Sequence, residues 1–165
     1  MIRDALISDC GKYRYSLYRF WDNTKKACMF IMLNPSTADD KEDDPTIQKC
    51  IRFAKSLGYG SLYVTNLFAY RATDKSVIKK VTNPIGIDND KYILELAKKA
   101  DKIIGAWGNS GKYLNRSNHV KKLLKDNSFK LFCLHITKKG EPSHPLYLKN
   151  NLKLIQLFLR NNAIE

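Results

Sequence analysis

Residues 28–33 read CMFIML, an uninterrupted apolar run that ends at Asn34-Pro35. Short runs of continuous apolarity are typical of strands that are covered on both faces, as in parallel sheets. Three further runs share this character: LYVTNLF at 62–68, IIGAW at 103–107 and LFCLHI at 131–136. The sequence therefore predicts four buried strands in a parallel arrangement.

Helical patterns lie between and after these runs. Asp44 followed by Pro45 is a typical helix start, and Gly58 supplies a stop after apolar residues spaced along one face. Further helices are predicted from about Asp88, around 109–126, and from about Pro145 to Arg160. Helices that alternate with parallel strands cover both faces of a sheet.

The segment before the first run has a different pattern. Residues 12–21 (KYRYSLYRFW) alternate and are rich in aromatic side chains, which predicts an antiparallel strand added at the start. The sum is a three-layer αβα sandwich with a central four-stranded parallel sheet plus this N-terminal antiparallel strand. The length of 165 residues suits a single domain over 1–165.

The chain is strongly basic, with 29 Lys+Arg against 16 Asp+Glu and a formal net charge of +13. A field of this sign attracts polyanions, because phosphate contacts release counterions from nucleic acid; the alternative is a lysine-rich composition that merely decorates the surface. No apolar run of ~18 residues spans a membrane, and residues 1–12 lack the apolar stretch of a secretory signal. The four cysteines are widely spaced, which favours reduced thiols in a cytoplasmic protein over a zinc site or disulfides.

Polar residues follow each predicted parallel strand. Asn34, Asn66, Trp107-Gly108 and His144 all fall at or after a strand end, and Arg71 follows Asn66 closely. Ligands of open α/β sheets bind beyond the carboxyl ends of the strands. The sequence therefore predicts that two amides, an arginine and a histidine converge on one rim.

The motifs that contain these residues resemble known families. LNPSTADD, VTNLFAYRATD, WGNSG and HPLYL together resemble an uncharacterised bacterial and phage domain family without a settled activity. More distantly, Asn34-Pro35, Asn66 with Arg71, Trp107-Gly108 and His144-Pro145 stand in the same order as motifs of the uracil-DNA glycosylase superfamily. Two features depart from that superfamily: Asn34 replaces a carboxylate, and the loop 137–143 separates the last strand from His144.

The resemblance implies a role for each residue. Asn34 orients the attacking water, Asn66 reads the base edge, with Pro35 and Ser36 beside the base, and His144 donates to the carbonyl oxygen of the leaving base. The structural alternatives are a strand end for Asn34, backbone satisfaction for Asn66 and a loop or cap for His144. In the acidic stretch 39–44 (DDKEDD), Asp39 or Asp40 is a candidate for the missing negative charge, whereas Asp43 and Asp44 are expected to cap the following helix.

A second group of residues is expected to hold DNA. The candidates for phosphate contacts are Arg71, Lys112, Arg116, Lys138 and Lys139. Leu146 and Tyr147 either wedge into the base stack or pack inward as the first turn of the last helix.

These expectations lead to one hypothesis and two rivals. The hypothesis is a monofunctional DNA glycosylase that flips a damaged or modified base, uracil-like or a hypermodified cytosine, and leaves an abasic site in repair or anti-phage defence. It needs no cofactor or metal, binds DNA, including phage DNA with modified bases, and involves neither a membrane nor an obligate protein partner. The rivals are a catalytically inactive nucleic-acid-binding module of the same fold, and a hydrolase of free nucleosides or nucleotides.

Overall fold

The computed structural model describes residues 1–157, which contain seven strands and three α-helices. The strands are β1 (Ile2–Ile7), β2 (Arg14–Phe20), β3 (Ala27–Met32), β4 (Ser61–Asn66), β5 (Lys102–Gly105), β6 (Leu131–Cys133) and β7 (Ile155–Leu157). The helices are α1 (Pro45–Ser56), α2 (Asn89–Ala97) and α3 (Arg116–Asp126). Short 3-10 helices lie at Lys75–Lys79, Asn109–Asn115 and Pro145–Tyr147.

All seven strands form one mixed sheet in the order β1-β2-β4-β3-β5-β6-β7. The four apolar runs form β3 to β6, and the pairings among these strands are parallel. Strands β1 and β2 extend one edge and β7 extends the other, each through antiparallel pairing. Met32 pairs with Asn66 across β3 and β4, so these two strands end at the same level.

The sheet is wider than the sequence predicts, because β1 and β7 were not expected. Strand β1 has mostly exposed side chains and pairs only with β2, so no buried face marks it in the sequence. Strand β7 lies in the segment 145–160, for which the sequence predicts a helix. That prediction is wrong for the described residues.

Residues 145–157 instead form the 3-10 helix at Pro145–Tyr147, a turn and then β7. The turn falls at Asn150 and Asn151, a residue type with low helix propensity. Leu152 and Leu154 are half-buried with Lys153 exposed between them, which is the alternation of an extended chain. The rest of the predicted helix, up to Arg160, lies outside the described residues.

Helices cover the sheet on both faces. Helix α1 packs on one face, where Ile47, Cys50 and Phe53 join Phe30 and Val64 in a buried core. Helices α2 and α3 pack on the other face, where a second core includes their apolar side chains. In the second core these are Ile93, Ala97, Val120 and Leu124.

The predicted helix starts agree with the structure in part. Asp44 is the N-cap of α1, because its side chain accepts the backbone N–H of Ile47, and Pro45 takes the first helical position. Helix α2 follows Asp88 directly. The predicted helix at 109–126 is divided into a 3-10 segment and α3, with Asn115 in the left-handed conformation between them. Within residues 1–157, no helix has the length and apolarity needed to cross a membrane.

Candidate functional site

A pocket of about 600 Å³ opens at the carboxyl ends of β3, β4 and β5, on the face that α1 covers. Its wall brings together the last residues of two strands, the first turn of α1, the segment after β5 and the segment that carries His144. The residues discussed below that line it are Arg14, Asn34, Ser36, Asp44, Asn66, Lys75, Trp107, Gly108, Asn109, Thr137, His144, Leu146 and Tyr147. Asn34, Asn66, Trp107-Gly108 and His144 thus lie around one cavity.

Asn66 is the last residue of β4 and is only 1% exposed. Both polar atoms of its side chain, Oδ1 and Nδ2, lack a hydrogen-bond partner among the described residues. A buried amide without partners costs free energy, on the order of 1–3 kcal/mol per group. An amide that lines a pocket in this state is ready to bond a ligand that offers both a donor and an acceptor.

The backbone around Asn66 is held from the opposite face of the sheet. Asn89, at the start of α2, donates from Nδ2 to the carbonyl of Asn66 at 2.8 Å and to that of Leu67 at 3.1 Å. Arg116 donates from Nε to the same Leu67 carbonyl at 2.7 Å. The strand end is therefore fixed while the Asn66 side chain is left without a bond.

This arrangement corrects the interpretation of Arg116 as a phosphate contact. The side chain is 2% exposed and forms an ion pair with Asp90 in addition to its bond to Leu67. A guanidinium that is buried and already bonded in this way holds the fold together and is not available to DNA. The arginine was misassigned because the 3-10 segment places it at the buried start of α3.

Asn34 follows β3 and is half-buried. Its Nδ2 donates to the carbonyl of Ala72 at 2.8 Å and to that of Pro35 at 3.1 Å. Two carbonyl acceptors around one amide group fix its orientation, since the reverse orientation would bring oxygen against oxygen. The oxygen Oδ1 is the atom left to accept a hydrogen bond, as a residue that orients a water requires.

His144 stands at the rim with an exposed side chain. Its Nδ1 accepts the backbone N–H of Leu146 at 3.3 Å, which caps the 3-10 helix at Pro145–Tyr147. A ring that accepts at Nδ1 carries its proton on Nε2, so Nε2 is a donor. Burial of part of the ring and the nearby Lys75 ammonium lower the pKa of His144 below its ordinary value, while Asp44 acts in the opposite direction.

Trp107 is 1% exposed and anchors the segment after β5. Its Nε1 donates to the buried carboxylate of Glu141 at 2.7 Å, and Ser117 donates to the other oxygen of that carboxylate at 3.1 Å. Gly108 follows with φ +73°, a conformation that L residues rarely adopt, and its N–H donates to the carbonyl of Pro142 at 2.7 Å. The Trp-Gly turn and the segment leading to His144 are therefore tied together.

The acidic stretch behaves differently from its prediction. Asp39 is not among the residues that line the pocket; its carboxylate accepts the backbone N–H groups of Lys41 and Glu42, and these bonds lower its pKa. Asp39 is therefore a turn-forming residue, and its assignment to catalysis is corrected. Asp43 was expected to cap α1 together with Asp44, but its Oδ1 lies 2.6 Å from Nε of Arg19 in an ion pair. Asp44 is the residue that caps the helix.

Asp44 is the acid that lies in the pocket. One oxygen of its carboxylate caps α1 at 2.8 Å from the Ile47 nitrogen. Sequence reasoning assigned Asp44 to this cap and to nothing else. Asp44 ends the loop that runs from β3 to α1, and this loop brings the N-cap of α1 to the same pocket as Asn34.

Arg14, which sequence reasoning did not select, also lines the pocket. It is 2% exposed, and within residues 1–157 the guanidinium makes one hydrogen bond, from Nη1 to the Ala38 carbonyl at 2.8 Å. Its Nε has no partner among the described residues. Burial lowers the pKa of Arg14 to about 10, with Asp44 acting in the opposite direction, so the group stays charged at neutral pH.

The remaining predicted residues fall into two places. Ser36, Leu146 and Tyr147 line the pocket, and Tyr147 is 94% exposed, while Pro35 is buried beside the pocket. Lys112 donates to the carbonyl of Lys139 at 3.2 Å. Thr137, which precedes Lys138 and Lys139, donates to the pocket residue Asn109 at 2.7 Å. The three exposed lysines therefore lie next to the rim of the pocket. Arg71 is half-buried and donates to the carbonyl of Gly11 at 3.3 Å, outside the pocket lining.

The fold and the site define an α/β protein with a pocket beyond the carboxyl ends of its parallel strands, lined by both polar and apolar residues. The chain belongs to the family described as "Protein of unknown function (DUF1643)", whose model matches residues 14–146. The match begins at Arg14 and ends at Leu146, so it includes the pocket residues named above except Tyr147. No curated protein and no solved structure matches the chain.

Proposed function

We propose that this protein is a monofunctional DNA glycosylase that binds a flipped base in the pocket and hydrolyses its N-glycosidic bond. The observation that carries the proposal is Asn66, a 1% exposed amide in the pocket with neither polar atom bonded. The Watson–Crick edge of a pyrimidine presents adjacent donors and acceptors that match such an amide. Flipping supplies the partners that the chain itself does not.

The finer fold assignment is part of the same proposal. A parallel core β4-β3-β5-β6 with helices on both faces supports a uracil-DNA-glycosylase-like sandwich, extended by antiparallel strands at both edges. The four motifs that resemble that superfamily all contribute to one pocket. Their common location supports the resemblance more strongly than their order in the sequence does.

The chemistry assigns a task to each polar group. Water attacks C1′ of the sugar as the C1′–N bond breaks, and the electron pair of that bond leaves with the base. Asn34 Oδ1 accepts a hydrogen bond from the water, and the Asp44 carboxylate takes its proton and stabilises the positive charge that develops on the sugar. His144 donates from Nε2 to a carbonyl oxygen of the leaving base, which holds the negative charge there.

The pocket's surroundings support DNA as the partner. Lys112, Lys138 and Lys139 are exposed beside the rim, and Lys75 lies on the pocket wall. Phosphates on either side of a flipped nucleotide would meet these ammonium groups. Tyr147, 94% exposed at the rim, is the better placed of the two wedge candidates to fill the gap in the base stack.

The proposal is tested with duplexes that each carry one candidate base, among them uracil and modified cytosines. Each duplex is incubated with the protein, and strand breaks are measured with and without alkali. We expect breaks with alkali alone, because hydrolysis by water leaves an intact abasic strand. Breaks without alkali, or trapping of DNA on Lys75 by borohydride, would replace the monofunctional assignment with a lyase.

Variants connect the activity to the pocket. Asn66→Ala should lower the excision rate by about 10²–10³, the scale of losing one well-placed hydrogen-bonding group at an active site. Asn23→Ala is the matched control, because Asn23 is exposed and lies outside the pocket lining. If no base is excised from any duplex, the proposed glycosylase activity is wrong. DNA binding that is unchanged in Asn66→Ala would then favour the inactive binding module, and turnover of free nucleosides would favour the monomer hydrolase.

A further inference from the structure

Arg14 is the buried charge that the proposed reaction does not use. Its side chain is 2% exposed, yet its one hydrogen bond is to the Ala38 carbonyl, and its Nε is unpartnered within residues 1–157. No carboxylate of the described residues forms an ion pair with it within 4.0 Å. Buried charges in proteins are normally paired and fully bonded, because desolvation is costly.

The position of Arg14 links it to the bound base. Its backbone N–H donates to the carbonyl of Ala69 at 2.9 Å, three residues beyond Asn66, and both side chains line the same pocket. The exposed cation of the pocket wall, Lys75, is the first residue of the 3-10 helix at Lys75–Lys79. A phosphate of the DNA backbone is expected at such an exposed cation, whereas the buried guanidinium of Arg14 is placed to meet part of the base.

The volume of the pocket also favours a ligand larger than an unmodified base. About 600 Å³ falls within the ~300–1,000 Å³ of sites for drug-sized ligands and exceeds what an unmodified pyrimidine fills. Arg14, a donor-only group, lines this pocket, and it is the buried donor there that the proposed reaction leaves unused. Oxygen atoms, whether of a carboxylate or of hydroxyl groups, are the partners that an arginine with unfilled donors selects.

We infer that Arg14 is a specificity-determining residue that binds oxygen atoms of a substituent on the base, so that the preferred substrate is a pyrimidine enlarged by an oxygen-bearing group. The inference rests on the proposed function, because it assumes that a base occupies the pocket next to Asn66. It adds the chemical class of that base. The oxygens belong either to a carboxyl group or to a hydroxylated group such as a sugar.

The test compares four duplexes that differ at one position: cytosine, 5-carboxylcytosine, 5-hydroxymethylcytosine and its glucosylated form. Equilibrium binding is measured by fluorescence anisotropy, and base release by mass spectrometry, for the wild type, Arg14→Lys, Arg14→Met and Arg52→Met. Arg52 is the control, because it is an exposed arginine of α1 outside the pocket lining. The carboxylated and glucosylated arms distinguish the two sources of oxygen.

We expect the wild type and Arg52→Met to prefer at least one oxygen-bearing duplex over cytosine by about 10- to 100-fold, the worth of a hydrogen bond to a charged group. Arg14→Met should reduce this ratio to within about threefold, with Arg14→Lys in between. Because the ratio is taken within each variant, a loss of folded protein does not change it. Thermal unfolding of each variant checks the fold separately.

Two results overturn the inference: no preference for any oxygen-bearing base in the wild type, or an equal preference in wild type and Arg14→Met. Either result is compatible with excision of uracil or cytosine, so it would overturn the role of Arg14 without overturning the proposed glycosylase activity. Conversely, a preference in binding that depends on Arg14, without release of any base, would contradict the glycosylase and support the inference. The two failures are therefore distinguishable.

Discussion

Two buried arginines lie on the same strand, β2, and are bonded in opposite ways. Arg19 is fully buried, and its donors reach the Asp43 carboxylate and the carbonyls of Asp4, Tyr18, Asp39 and Glu42. The side chain of Arg14, five residues earlier, donates only to the Ala38 carbonyl among the residues that the structure describes. The comparison separates a charge that the chain satisfies from a charge that the chain leaves for a ligand.

The stretch 39–44 explains the difference. This acidic loop surrounds Arg19 with a carboxylate and two carbonyls, and it bonds to itself through Asp39. Its last residue, Asp44, turns into the pocket at the start of α1. Within this stretch the carboxylates of Asp39 and Asp43 are bonded to the fold, and Asp44 is the acid that lines the pocket.

The largest expected effect tests this comparison through stability. Arg19→Met should lower the free energy of unfolding by about 3–5 kcal/mol, because Asp43 and several carbonyls lose their buried partner. Arg14→Met should change it by no more than about 1 kcal/mol, since an apolar side chain replaces a poorly bonded charge. Urea denaturation of both variants measures the contrast. Equal losses would mean that Arg14 is as structural as Arg19.

The next effect separates the two ends of the acidic stretch. Asp44→Asn keeps an N-cap side chain, because asparagine caps helices as well as aspartate, but removes the charge from the pocket. The excision rate should fall about 100-fold, the lower range for loss of a general base. The matched variant Asp39→Asn should leave the rate within about twofold, since Asp39 lies outside the pocket lining. A larger loss for Asp39→Asn would restore Asp39 as the catalytic carboxylate.

The sequence predicted the strands that form the pocket better than it predicted which charged side chains line it. Asn34, Asn66 and His144 follow strand ends, and strand ends can be found from apolar runs such as 28–33. Arg14 and Arg116 could not be assigned in this way, because burial depends on contacts between residues far apart in the sequence. Arg116 is buried against Leu67 and Asp90, and Arg14 against Ala38.

The final segment shows the limit of periodicity. Leu148 and Leu152 are four residues apart, which suits one face of a helix, yet Leu152 and Leu154 also suit alternate positions of an extended chain. The structure adopts the second pattern, because β6 offers an open edge that β7 pairs with. An edge of a sheet is a property of the assembled fold and is not visible in a local pattern.

A smaller effect follows from the protonation of His144. Its pKa in the folded protein is below the ordinary value of 6.5, so the neutral form of the ring predominates at pH 7. Protonation places a hydrogen on Nδ1, which then no longer accepts the Leu146 N–H. Because Nε2 still donates in the imidazolium, the excision rate should be flat above pH 6.5 and should fall at lower pH only as far as loss of this cap displaces the ring.

The control for this prediction is His144→Gln, whose rate should be lower and whose pH profile should lack the step that His144 contributes. The same lowered pKa makes protonation harder in the folded than in the unfolded chain, so the contribution of His144 to stability is present above pH 6.5 and decreases below it. Nuclear magnetic resonance titration of the ring measures the pKa directly. A measured pKa above 6.5 would contradict the assignment of His144 as a neutral hydrogen-bond donor.

The smallest expected effect concerns the surface charges, and it decides whether the net charge of +13 serves the pocket. Lys138 and Lys139 are exposed beside the rim, and Lys98 is exposed at the C-cap of α2, the helix that packs on the opposite face of the sheet. Replacement of Lys138 and Lys139 by glutamine should weaken DNA binding a few-fold and should reduce the slope of log K against log salt by about 1–2, since each lost phosphate contact removes ~0.9. Lys98→Gln should leave the slope unchanged, because a charge on the far face releases no counterion from DNA at the pocket. An equal change of slope in the Lys98 variant and in the Lys138 and Lys139 variant would mean that DNA binds over the whole basic surface and not specifically at the pocket.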